Sequence, residues 1–547
     1  MQRKKLTVKF TKTDVEPDEA EVVLFPSWRT WDDREYNFSC RGMVRNPLTN
    51  SILHFETFIG FLPPKDKDEH EVAFFKSYLT NNSFEDMVGL INSHYEYESI
   101  ERLRFFTMLP TMGEYRKVVE TLGVEFSGTL LNAINDLVYN KRTSLSWFDE
   151  AIKSRVFKLG FMRDSEPFFT FNNADEILEG LENERFDGIS QNLTLRYTLD
   201  GFNNEHEIKL KYNSAGYIPK RINILIGKNG LGKSQSLRAF SRAALMYNDE
   251  DISLVDSETN YRPMINRLLA VATPGESVNT FPGERRTTQK LHYRRLSLTR
   301  NSKTRYAETI ADQLIKLMRL NENIGTLSRW EIFKKTISKI VHIDKFVLIM
   351  NDGGYISLDR IDNYQQDRTL VELLADIDTS KEPRICYSSK PHALSSGQLI
   401  FFKFALLCCL HIENGSFILL DEPETHMHPN MISDFIDLLD TLLEETGSQA
   451  LIATHSVYFV REVSREQVHI FKRNVEGNID ISSPRLRTFG SDIDSISQFV
   501  FEEDIDSRLT DKIHEKIKSI PFERIEDELG AELSLSALMD LKSRYVE

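Results

Sequence analysis

The stretch Gly227-Lys228-Asn229-Gly230-Leu231-Gly232-Lys233-Ser234 decides the fold. An apolar run at residues 222–226 comes before it, and Leu237, Phe240, Ala244 and Leu245 recur at helical spacing after it. Strand, glycine-rich turn, Lys-Ser and helix is the context of a P-loop. Its glycines let successive backbone N–H groups close around an anion with no Cβ in the way. The start of the helix adds partial positive charge at the same point. The pattern predicts a nucleotide-binding set of Gly227, Lys228, Asn229, Gly230, Leu231, Gly232, Lys233, Ser234 and Gln235. Lys233 would reach the outer phosphates, and Ser234 would place its hydroxyl on Mg2+.

Two later runs complete such a site. Phe417-Ile418-Leu419-Leu420 leads into Asp421-Glu422-Pro423, the pattern of a buried strand that delivers acids to a phosphate site. Asp421 is expected to hold Mg2+ and Glu422 to polarise an attacking water. Leu451-Ile452-Ala453-Thr454 is another buried strand, ending at His455-Ser456. Ligands of open α/β sheets bind at the carboxyl ends of strands, so His455 is expected to donate to the terminal phosphate. Leu394-Ser395-Ser396-Gly397-Gln398 opens a strongly apolar helix that runs to Leu410. His426-Met427-His428 reads as a loop at a subunit contact, since no third metal ligand is suggested by spacing.

In this order, the P-loop, Leu-Ser-Ser-Gly-Gln, Ile-Leu-Leu-Asp-Glu-Pro and Ala-Thr-His-Ser resemble the head of an ABC-type ATPase. The version Asp-Glu-Pro-Glu-Thr-His-Met-His-Pro, from Asp421 to Pro429, is similar to the non-transporter branch of SMC proteins, RecF, OLD-like ATPases and related bacterial defence ATPases. The resemblance implies an α/β fold: a mixed sheet with a P-loop core, a β-subdomain and a helical lid. It also implies ATP and Mg2+ as ligands and a mechanism in which two heads sandwich two ATP molecules. Ser395, Ser396, Gly397 and Gln398 of one copy would then meet the nucleotide held by Lys233 of the other. Ser396 stands where the signature usually has glycine. The Gln that family members often carry near Mg2+ is replaced by Pro274-Gly275-Glu276-Ser277, with Glu276 and Gln289 as unassigned substitutes.

Outward from the head, residues 193–199 and 205–212 alternate around a Gly-Phe-Asn-Asn turn and predict a hairpin. Residues 346–350 and 355–358 predict a second one around Asn-Asp-Gly-Gly, and residues 268–273 a buried strand. Residues 1–185 read as an α+β extension, strand-like to residue 61 and helical from about 68 to 151, with a role in recognition, in assembly or as an elaboration of the ATPase. The head is expected over 186–488 and a helical docking segment over 489–547, whose apolar stripe needs a partner surface.

Net charge is −15, which argues against indiscriminate nucleic-acid binding. Yet residues 281–305 carry eight basic residues against the single acid Glu284. Arg285, Arg286, Lys290, Arg294 and Arg295 are therefore nucleic-acid candidates, with Tyr293 as a stacking platform, or else a solvated patch that pairs within the chain. Cys40, Cys386, Cys408 and Cys409 form no metal frame and read as buried thiols. No apolar run approaches a membrane span and the first residues hold no signal core, so a cytoplasmic place without membrane contact is expected.

Among defence ATPases the chain most resembles the PtuA ATPases of Septu systems, including those attached to retrons. That resemblance implies a homodimer or higher homo-oligomer through ATP-sandwiched heads and control of a separate HNH nuclease of PtuB type. A retron reverse transcriptase with its msDNA, and DNA, are further partners it implies. The alternative is a RecF- or SMC-like DNA-binding ATPase of repair or maintenance. No long heptad coiled coil lies between the P-loop and Leu394, which counts against true SMC architecture.

Overall fold

The computed structural model describes residues 6–27, 39–63, 104–141, 146–199 and, with short interruptions, 201–501, besides isolated positions at 88, 524, 539 and 542. The helices expected over 68–103, most of the C-terminal tail, and Arg285, Arg286, Lys290, His426, Glu276 and Gln289 lie outside the described residues.

The N-terminal part begins with a five-stranded sheet in the order β1-β2-β3-β4-β5: Thr7–Phe10, Glu21–Pro26, Ser39–Arg45, Ile52–Phe61 and Phe105–Met108. It is antiparallel except for the β1–β2 pair. The kinked helix α1 (Met112–Ala133) packs on it, capped by Thr111, whose hydroxyl accepts from the Glu114 N–H. Phe10, Phe55, Phe105, Phe106, Leu130 and Phe169 belong to one buried core that extends to Ile177.

The rest is organised on a seven-stranded sheet. Its order is β11-β10-β18-β19-β8-β20-β21, with β8 at Ile222–Gly227, β10 at Arg267–Ala272 and β11 at His292–Ser297. β18 is Phe417–Asp421, β19 Gln449–Thr454, β20 Val468–Arg473 and β21 Ile479–Ser482. All neighbours are parallel except β20–β21. Parallel sheets are covered on both faces, which explains why these strands read as unbroken apolar runs. The period of two divides them cleanly: Ile222, Ile224, Ile226, Ile418, Leu420 and Ile452 face one core, and Leu225, Phe417, Leu419, Leu451 and Ala453 face another.

The second of these cores is closed by α2 (Lys233–Ala244) and a three-stranded antiparallel sheet, β7-β6-β9, formed by Glu205–Lys211, Asn192–Thr198 and Ser253–Asp256. The expected hairpin is thus β6–β7. The first core is closed by helices α3 (Ile310–Arg319), α4 (Arg329–Ile337), α5 (Ser396–His411) and α6 (Asn430–Thr446). A two-residue ladder, β12 and β13 (Asn323–Ile324 and Leu327–Ser328), joins α3 to α4. A four-stranded antiparallel sheet, β15-β14-β16-β17, carries the second expected hairpin, with β14 at Phe346–Ile349, β15 at Tyr355–Ser357, β16 at Arg384–Tyr387 and β17 at Lys390–Ala393. After β19, α7 (Val457–Arg461) receives α8 (Ile493–Phe501), and Ile496 and Val500 enter the same core as α3 to α6. No described helix is long and apolar enough to cross a membrane.

Candidate nucleotide site

β8 ends at Gly227, and a Cβ there would lie 2.6 Å from the carbonyl oxygen of Phe471, so the neighbouring strand leaves room for glycine only. The loop then turns through Gly230 and Gly232, at φ of 81° and 92°, a region that side-chain-bearing residues rarely adopt. Lys228, Asn229 and Gly230 are exposed, and Leu231 and Gly232 half-buried. Lys233 opens α2 and is buried, its ammonium donating to the carbonyls of Gly227 (2.8 Å) and Lys228 (3.0 Å). Burial lowers its pKa, while Glu422, Glu424 and Asp421 oppose the shift. Gln235 follows on the first turn of α2.

β18 and β19 bring the acids and the histidine to the same sheet edge. Asp421 is buried at the end of β18. Its Oδ1 accepts from Ser234 Oγ (2.9 Å) and its Oδ2 from Thr280 Oγ1 (2.5 Å). Burial raises its pKa, and the two hydroxyl donors act against that. Glu422 comes next with φ of 46°, a left-handed conformation uncommon for a residue with a side chain. It is held there by its N–H, which donates to Ala453 on β19, and by Thr425, whose N–H and hydroxyl donate to the Glu422 carbonyl. Strained backbone of this kind clusters at functional positions. His455 stands just past β19 with about half its side chain exposed, Nδ1 3.8 Å from Glu422 Oε1 and 3.1 Å from Glu424 Oε1.

Two members of this set escape a reading of the sequence. Thr280 is a loop residue 141 positions from the Asp421 it holds. Glu424 is buried and takes hydrogen bonds from Thr454 Oγ1 and the His455 N–H; its only signal is a second acid in Asp-Glu-Pro-Glu.

Ser395 to Gln398 are not joined to this cluster by any hydrogen bond among the described residues. Ser395 caps α5: its Oγ accepts from the Gln398 N–H (3.2 Å), and Gln398 Oε1 accepts from the Ser395 N–H (3.0 Å), a complete capping box. Ser396 is exposed, and Gly397 is so close to Met431 that a Cβ would clash with its methyl.

The basic stretch is only partly described. Arg294 forms an ion pair with Glu284 (3.1 Å), and the Arg295 N–H donates to the same carboxylate. Tyr293 is not a stacking platform: β11 turns it into the core, and its hydroxyl donates to the Pro282 carbonyl. An aromatic within a charged run looks exposed, but alternation along a strand sends every second side chain inward.

Residues 222–461 match the family model described as "AAA domain, putative AbiEii toxin, Type IV TA system". Protein ea59 of Escherichia phage lambda is 26% identical over 298 residues, covering 51% of this chain and 54% of ea59. The chain thus spans about half the length of the curated relative it matches. Among solved structures, cbiO1 of the cbiONQ ABC transporter complex from Clostridium perfringens is 16% identical, covering 60% of this chain and 96% of cbiO1 at a TM-score of 0.28. The SMC head domain from Thermotoga maritima is 14% identical, covering 54% and 99% at 0.27. At these scores neither likeness bears on activity or partners. The segment that matches the family model is a mixed α/β domain with its P-loop on β8, its acids at the end of β18 and its histidine at the end of β19.

Proposed function

We propose that this chain binds and hydrolyses ATP between two copies of its head. The observation that carries this reading is the division of the site. Phosphate loop, acids and histidine converge at one sheet edge, whereas the Ser395–Gln398 helix start makes its capping box within itself and, among the described residues, no hydrogen bond to that cluster. A helix start with exposed backbone donors suits an anion brought by a second copy.

The residues fit MgATP. Gly227, closed in by Phe471, and the left-handed Gly230 and Gly232 keep the loop in the glycine-only backbone that closes N–H groups around a phosphate. Ser234 and Asp421 would hold Mg2+, which supplies charge neutralisation on the phosphate oxygens when bound. Lys233 would leave the Gly227 and Lys228 carbonyls for the outer phosphates. Glu422, half-exposed beside His455, orients the attacking water, and His455 donates to the terminal phosphate. Phosphate release by the purified chain should be measurable with MgATP and fall by about 100-fold or more in Lys233→Ala and Glu422→Gln. Equal rates in all three would refute the assignment.

We further propose that residues 186–488 act as the head, 1–185 as a recognition or assembly module, and 489–547 as a docking segment whose first helix is seated on the head. The family description names a toxin of a toxin–antitoxin system and the relative is a phage protein. Both support a place in conflict between phage and host, in a defence complex where ATP-driven head pairing controls a separate HNH nuclease, with or without a reverse transcriptase and its msDNA. Robust DNA cleavage by the single purified chain would exclude a separate effector. The DNA-binding alternative is weakened by Arg294, whose charge is met by Glu284. Salt-dependent binding of duplex DNA without a partner would restore it.

A further inference from the structure

Glu424 is the group nearest His455 that the mechanism above leaves without a role. It is buried where Glu422 is half-exposed, so it is shielded from an attacking water. All its contacts fall on one oxygen. Oε1 accepts from Thr454 Oγ1 (2.5 Å) and from the His455 N–H (2.9 Å), and lies 3.1 Å from His455 Nδ1. Oε2 is buried with no hydrogen-bond partner. The first two bonds pin the backbone where β19 ends, and the third approach addresses the ring.

Resting on the reading that this head hydrolyses ATP, we propose that Glu424 is a positioning residue for His455. Its Oε1 accepts a hydrogen bond from Nδ1–H and aims Nε2 at the terminal phosphate, to which Nε2 donates once the ring carries a proton on both nitrogens. The carboxylate and the ring are already at contact distance, and bonds of this type tighten when the nucleotide arrives. A ring nitrogen that donates to a carboxylate has its plane fixed, and the carboxylate supports the second proton with which the opposite nitrogen donates to the phosphate. Thr454 serves the same end, since its hydroxyl holds Oε1 in line and its side-chain oxygen accepts from the Ser456 N–H.

The test uses the full chain and Glu424→Ala, Glu424→Gln, His455→Ala and the Glu424→Ala/His455→Ala double variant. Glu424→Ala should lower kcat by about 10- to 100-fold with KM little changed, the scale found when a carboxylate that orients a histidine is removed. Glu424→Gln, whose amide oxygen still accepts from all three donors, should recover most of that loss. In the His455→Ala background, Glu424→Ala should cost nothing further, because the two act as one unit. Additive losses, or an unaffected kcat in Glu424→Ala, would overturn the proposal. Ring-nitrogen NMR of protein labelled at histidine gives a readout independent of turnover. The signal absent from His455→Ala should report a protonated Nδ1 in wild type and in Glu424→Gln, and a shift toward protonated Nε2 in Glu424→Ala. An unchanged Nδ1 signal would refute the positioning role even for a variant that melts early. If wild type neither binds nor hydrolyses ATP, the ATPase reading fails, and the nitrogen spectrum still judges Glu424.

Discussion

Asp421 joins two hydroxyls from opposite directions, Ser234 on the P-loop helix and Thr280 on the loop after β10, and this makes it the pivot of the site. It was legible in the sequence, as were Glu422 and His455, because each stands directly after an apolar run that had to be a buried strand. Thr280 and Glu424 were not, because their partners come from elements brought beside them only by the sheet order. The P-loop glycines were legible as a set, and the structure now separates their reasons: Gly227 is closed in by Phe471, and Gly232 is fixed by its backbone. A Cβ at Gly232 would also press on Leu199, 2.7 Å away. Left-handed backbone costs a residue with a Cβ about 1–2 kcal/mol. Gly232→Ala should therefore weaken MgATP binding by about tenfold or more, read by titration of a fluorescent nucleotide. Unchanged affinity would mean that the loop does not cradle phosphate.

Elements were read well where one period dominated. The β6–β7 hairpin alternates visibly because only one of its faces is buried, and the central strands stand out because both faces are. The basic edge strand β11 was harder, since its charges suggested an exposed run while Tyr293 and Leu296 point into the cores. Helix α5 has apolar residues all round, in keeping with its burial between α3, α4 and α6. Its exposed start then matters most. In Ser395→Ala the capping box is lost, at a cost of about 1 kcal/mol in folding stability. Chemical denaturation should show that modest change, while ATP-driven association is abolished. A variant that is destabilised yet still associates would confine Ser395 to capping.

At the scale of the whole molecule, a buried ionic junction ties the N-terminal part to the part built on the seven-stranded sheet. Arg116 on α1 donates from Nε to Glu184 Oε2 (2.8 Å) and from Nη1 to Glu413 Oε1 (2.8 Å), while Arg329 on α4 reaches the other oxygen of Glu413. All four side chains are buried. Although burial works against it, the neighbouring Arg116, Arg329 and Arg267 hold Glu413 down to a pKa of about 2. Glu413 lies in the turn between α5 and β18, so the N-terminal part is bolted to the link between that helix and the strand that ends in Asp421. None of this was legible, since Arg116 and Glu413 are 297 residues apart and neither belongs to a motif. Arg116→Ala removes the arginine partner of buried Glu184 and one of the two that hold buried Glu413, and should cost about 3–5 kcal/mol in urea unfolding, against under 1 kcal/mol if the junction were solvated. The central claim is that a nucleotide is gripped between two copies, each with half of what hydrolysis needs. Mass measured by light scattering on Glu422→Gln with MgATP tests it most directly. The account predicts at least a doubling that needs both ATP and Mg2+ and vanishes in Lys233→Ala; a mass that ignores the nucleotide would contradict it.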